Sequence, residues 1–156
     1  SQRVLSMIFK NCDGVMPALP AEPRDEDAAL LASADAMLDA VRAQIDLQAF
    51  HEALRVIWQV VSDANRYVDN TAPWGLKKTD PPRMQEVLAV LAEVIRQVAI
   101  LVQPVMPEAT SKMLAQLGVP DNARGFDTIG GALRLPAGHV IDKPEPVFPR
   151  YIVEEA

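Results

Sequence analysis

Apolar residues recur along this chain at three- and four-residue spacing, the period of a helix buried on one side. Residues 3–10 read as a short helix, stopped by Asn11-Cys12-Asp13-Gly14 with the glycine suited to a positive φ. Pro17, Pro20 and Pro23 then mark a linker. A second helix is expected over 25–45. Glu22, Asp25, Glu26 and Asp27 read as its solvated start, and Leu30, Leu31, Ala34, Leu38, Val41 and Ile45 form one buried stripe. Asp46 is expected to cap a third helix over 47–69, with a core stripe of Phe50, Leu54, Ile57, Val61 and Ala64 and with Trp58 buried beside it.

Thr79-Asp80-Pro81-Pro82 opens a fourth helix over 83–102, with aspartate as cap and proline tolerated in the first turn. This helix is apolar on nearly every side, which suits the middle of a bundle or a membrane. Gln85, Glu86, Glu93, Arg96 and Gln97 interrupt it too often for a membrane span, so it is predicted to be the central core helix. Pro107 and Gly118 bracket a fifth helix over 108–117. From Val119 the pattern changes to five prolines and several glycines. The predicted fold class is therefore all-α. Residues 1–118 form a bundle of about five helices, and 119–156 an irregular C-terminal tail packed on the same domain, with a short strand or hairpin left open.

Composition narrows the setting. Hydrophobic residues make up 49% and charged residues 23%, a soluble globular balance, and aromatics only 5%, which suits packed helices. The single cysteine, Cys12, rules out a disulfide-stapled secreted domain and makes a reducing cytoplasm the expected compartment. No signal peptide is visible at the start, and 3–10 already reads as mid-helix, so the chain is expected to be a piece whose beginning lies upstream. A net charge of −6 argues against broad binding of nucleic-acid backbone but permits recognition of a few unstacked bases.

The residues of common active sites are missing from their usual spacings. Gly130-Gly131 is too short to cradle a phosphate. His51 and His139 lie on different elements, and no Cys-x-x-Cys or His-Glu-x-x-His occurs, so neither a metal site nor a cofactor is expected in this stretch. His51 beside Glu52 reads as a solvated or capping side chain, and Cys12 as a small half-buried one. No catalytic residue is expected.

The informative stretch is Asn65-Arg66-Tyr67-Val68-Asp69-Asn70-Thr71-Ala72-Pro73-Trp74-Gly75-Leu76-Lys77. It puts Trp74 in a loop between helices, stiffened by Pro73. A fixed loop indole suits stacking on an unstacked base, and it equally suits plugging the end of a bundle. The stretch resembles the Asn-x-Tyr-(Val/Ile)-Asp-x-x-Ala-Pro-Trp-x-Leu-x-Lys turn of methionyl-tRNA synthetases. Asp13-Gly14-Val15, the junction from Ile100 through Pro104, Met106 and Pro107 to Glu108, Gln116-Leu117-Gly118 and Phe148-Pro149-Arg150 are similar to that family in the same order.

The resemblance implies an anticodon-binding domain for methionine tRNA, reading CAU. The family's base-stacking tryptophan matches Trp74, held by Pro73. Its anticodon-reading arginine matches Arg3, and the asparagine four residues before it would fall ahead of Ser1. Asn65 and Lys77 are further anticodon-binding candidates. Arg3, Arg66, Lys77 and Lys78 are expected to make a local positive spot. The implied partners are the tRNA anticodon loop and the protein's own upstream catalytic domain, with no membrane. That domain would use ATP to act as a methionine-tRNA ligase, while this stretch catalyses nothing. Two other readings stay open: the anticodon domain of another class I synthetase, and a helical protein-interaction module.

Overall fold

In the computed structural model, which describes residues 1–131 and 133–148, the chain is all-α, with no strand among those residues. The helices are α1 (Gln2–Asn11), α2 (Asp25–Asp35), α3 (Met37–Asp46), α4 (Phe50–Thr71), α5 (Pro73–Thr79), α6 (Pro81–Val102) and α7 (Pro107–Gln116). The predicted bundle and irregular tail are both there. Two segments beyond the expected number arise locally. The stripe over 25–45 breaks at Ala36, because its halves follow different partners, α2 packing on α6 and α3 on α4. The other is α5, a short helix in place of the loop expected around Trp74.

Helix α4 departs most from expectation. Asp46 ends α3 instead of capping the next helix, and Gln48 turns the chain through a left-handed φ of 58° before α4 begins at Phe50. The buried stripe is Ala53, Ile57, Val60 and Tyr67, whereas Phe50 and Leu54 are exposed and Trp58 is 55% exposed. The burial expected for Trp58 is thus overturned. Apolar residues lie on more than one face of α4, so the pattern alone does not fix which face is buried.

Helix α6 fills the centre as its pattern predicts, and two apolar clusters meet on it. Leu88 and Ile100 join Leu5 and Ile8 of α1 and Leu114 of α7, while Val87 and Leu91 join Leu30 of α2 and Ile57 of α4. Of the polar residues that argue against a membrane span, Glu93, Arg96 and Gln97 are buried, while Gln85 is exposed and Glu86 half-buried. Arg96 donates to Glu93 at 2.7 and 3.0 Å and to the carbonyls of Thr128 and Leu133. Glu93 also accepts from the Leu135 amide at 2.8 Å, and Arg134 reaches Asp35 at 2.6 and 2.7 Å. Charge balances charge within this network, so burial is tolerated and the tail is sewn to α6 and α2. In place of a strand or hairpin, the described tail has two 3-10 turns and one isolated bridge from Val140 to Val15. Among the described residues no helix is long and apolar enough to cross a membrane.

Leu91, almost fully buried against both α2 and α4, reports on this arrangement. Leu91→Ala should cost ~2–5 kcal/mol of unfolding free energy in a urea titration, the range for emptying a packed site. A loss below about 1 kcal/mol, the scale of ordinary substitutions, would mean α6 is not the central helix.

Candidate nucleic-acid interface

Three helices meet within a few residues around Trp74. Ala72 adopts φ 43° and ψ 60°, ending α4 and starting α5 at once. That left-handed conformation costs a residue with a Cβ about 1–2 kcal/mol, so the surrounding packing must enforce it. Pro73 fills the first position of α5, where its missing N–H is no loss. Asp80 then accepts from the Arg83 amide at 3.1 Å and caps α6. Trp74 therefore sits in the first turn of a helix, on a tight corner, and not in a free loop. It is 51% exposed, with Pro73 buried beside it. About half of the indole is open to receive a flat partner.

The corner is clamped from beneath. The Asp27 side chain, expected to be solvated, is fully buried and takes both arms of the Arg83 guanidinium at 2.6 and 2.7 Å. Tyr67, in the closing turns of α4, donates its hydroxyl to the same carboxylate at 2.6 Å, and the Arg24 amide adds a bond at 3.2 Å. Arg83 also reaches Glu26 and Glu86. Sequence patterning misses this site because an acid at a helix start normally faces water. Burial alone pushes the Asp27 carboxyl upward, but hydrogen bonds from Arg83 and Tyr67 and the guanidinium's charge outweigh it and hold it below the usual carboxylate range. Burial, together with the bond to Asp27, pushes the Tyr67 hydroxyl up, and Arg83 stays charged throughout.

Beside the corner lies a depression of about 350 Å³, at the small end of ligand-site sizes, which run from ~300 to 1,000 Å³. Arg3, Asn65, Pro73 and Trp74, all singled out by sequence, line it together, from α1, α4 and α5. Arg3 is exposed and has no acidic partner among the described residues. Lys77 and Lys78 stand three and four residues after Trp74, on the same side of α5, exposed but outside the lining. Arg66 leaves the expected positive spot. It pairs with Asp63 and faces the α2 side with Glu26, because neighbouring residues on a helix point about 100° apart.

Sequence reasoning missed Phe148 as part of the lining. It belongs to the Phe-Pro-Arg motif, whose Pro149 and Arg150 lie outside the described residues, and no local periodicity ties the tail to Trp74. Trp58 lines a neighbouring, mostly apolar depression of about 320 Å³, which shares Asn65, Val68, Leu91 and Phe148 with the first. Among the described residues no three His, Cys, Asp or Glu side chains gather to hold a metal. His51 is exposed beside Glu52, and the His139 ring bridges the Pro136 and Leu117 carbonyls at 2.9 and 2.8 Å. The arrangement is equipped to stack on a planar group and to bond its edges.

Removing one partner of a buried pair strands the other charge, so Asp27→Ala should destabilise by ~3–5 kcal/mol in chemical denaturation. A loss under about 1 kcal/mol would show that the clamp does not hold the corner. The depressed Asp27 pKa fixes a pH window as well. Its stabilisation is fully present above the unfolded value of about 3.9 and is lost as pH falls through the lower folded value. Melting temperature should therefore fall more steeply below about pH 4 in the native protein than in Asp27→Asn. Parallel curves would contradict an ionised, clamped Asp27.

Comparison with known proteins agrees with this architecture. A family model described as the anticodon binding domain of methionyl tRNA ligase matches residues 17–156. The methionine–tRNA ligase of Rhizobium meliloti (strain 1021) is 50% identical over 156 residues, all of this chain and 30% of that protein. That of Mycobacterium tuberculosis (strain ATCC 25618 / H37Rv) is 46% identical over 155 residues, or 97% of this chain and 29% of that protein. The crystal structure of apo M. tuberculosis methionyl-tRNA synthetase superposes with a TM-score of 0.91 at 44% identity, covering 98% of this chain and 31% of that one. Its form bound to methionyl-adenylate gives 0.90 at 45% identity, covering 95% and 30%. The chain thus spans about 30% of the length of the relatives it matches. With its helical bundle and Pro73-Trp74 corner, the chain belongs to the methionyl-tRNA ligase family, of which it is the anticodon-binding domain.

Proposed function

We propose that this domain reads the CAU anticodon of methionine tRNA from splayed bases, stacking the first on Trp74 while Arg3 and nearby backbone groups bond base edges. Asn65, across the depression, offers an amide that can both donate and accept. Pro73 fixes the indole's approach, and Lys77 and Lys78, one turn along α5, meet the adjoining phosphates. The observation that carries this reading is a half-exposed tryptophan at a helix corner, in one depression with an arginine that has no acidic partner among the described residues. A protein of net charge −6 gains little from phosphate attraction at large, so recognition has to be local and chemical. In the longer ligase, holding the anticodon here would place the acceptor end in an upstream catalytic domain, which uses ATP to attach methionine in the cytoplasm.

Trp74→Ala in the intact ligase should raise KM for tRNA and lower kcat/KM for aminoacylation, leaving ATP–methionine activation without tRNA nearly unchanged. Losing one base–aromatic stack is worth ~1–3 kcal/mol, about 5- to 150-fold in binding. Arg3→Ala should show the same pattern with relaxed discrimination at the first anticodon base. If Trp74→Ala impairs activation as much as aminoacylation, Trp74 holds the fold or a domain interface and the anticodon role is wrong.

A further inference from the structure

We propose that Phe148 is a second stacking surface of the same depression, engaging an anticodon base other than the one on Trp74. The inference rests on the anticodon reading and adds to it a residue from the far end of the chain. Phe148 is 65% exposed and stands where the two depressions meet, sharing Asn65 and Val68 with both. One exposed phenylalanine is ordinary on a protein surface. This one is distinguished by its place, opening onto the space that Trp74, Arg3 and Asn65 also line.

Its position is set by the fold. Ile141 is buried, and its amide donates to the Gly14 carbonyl at 2.8 Å. Four residues on, Glu145 and Gln116 exchange two hydrogen bonds, the Gln116 amide donating to the Glu145 carbonyl at 3.0 Å and the Glu145 amide to Gln116 Oε1 at 3.2 Å. Only Pro146 and Val147 separate that anchor from Phe148, so the ring is delivered on a short, proline-stiffened tether. A ring delivered there presents an open π-face, and the short anchored backbone leaves it little reach to lose on stacking.

The test is titration of the intact ligase with the methionine anticodon stem-loop and with three versions of it, each lacking one anticodon base. Phe148→Leu keeps apolar bulk and removes the π-face, Phe148→Tyr keeps the ring, and Trp74→Ala serves as reference. Phe148→Leu should bind the complete stem-loop about 5-fold or more weakly while melting like the native protein, and Phe148→Tyr should retain native affinity. The Phe148→Leu loss should vanish on one abasic stem-loop, and not on the one that cancels the Trp74→Ala loss. Native affinity in Phe148→Leu, with Trp74→Ala still weakened, overturns the inference and leaves the anticodon reading intact. An equal Phe148→Leu loss on all three abasic stem-loops, or a Tyr variant as weak as the Leu variant, makes Phe148 a packing residue and also overturns it. If Trp74→Ala binds like the native protein, the anticodon reading fails, and the inference with it.

Discussion

Everything at the Trp74 corner depends on one buried ion pair. Asp27 and Arg83 lie sealed from water between α2 and the start of α6, with Tyr67 of α4 bonded to the same carboxylate. Such a pair contributes little when compared with a well-packed apolar alternative, yet it is costly to break from one side. It therefore acts less as glue than as a constraint on geometry. Only an arrangement that brings α2, α4 and α6 to this point satisfies all the polar groups. That arrangement turns the chain sharply through Ala72 and sets Trp74 half out of the bundle. A second balanced network, around Glu93 and Arg96, ties the tail to the middle of α6, from where it continues to Phe148.

These two networks explain how an acidic domain can carry the proposed site. Among the described residues no carboxylate lines the depression, and several are neutralised by arginines within the fold, as Asp27, Glu93 and Asp35 are. The cations near Trp74 that lack an acidic partner among the described residues are Arg3, Lys77 and Lys78. These cations supply positive charge beside Trp74, and under the proposed reading selectivity falls to shape, stacking and base-edge bonding.

Much of this fold is legible in the sequence where burial and punctuation agree. Helix α6 announces itself by apolar residues on nearly every side, and Asp80-Pro81-Pro82 marks its start. Helix α4 is legible as a helix but not in its facing, because two apolar stripes compete, and tertiary packing chose Ala53, Ile57 and Val60 over the stripe beside Trp58. Seven residues are too few for periodicity to reveal α5. Asp27 is misread because local rules treat a charge at a helix start as solvated, and its partner Arg83 lies 56 residues away. At the site, Trp74 and Pro73 are noticeable on composition and turn chemistry, but pairing them with Arg3 required a family resemblance. Phe148 required the structure, since only tertiary contacts bring the tail beside α1 and α4.

The central claim is that recognition is local, made by bases on a rigid corner and not by charge along a backbone. Titration of the domain with anticodon stem-loops differing only in the three anticodon bases, at two salt concentrations, tests it directly. The account predicts that changing the first base weakens binding by about 10-fold or more, with a shallow salt dependence equivalent to only a few phosphate contacts. Equal affinity for every stem-loop, falling steeply with salt, would contradict it.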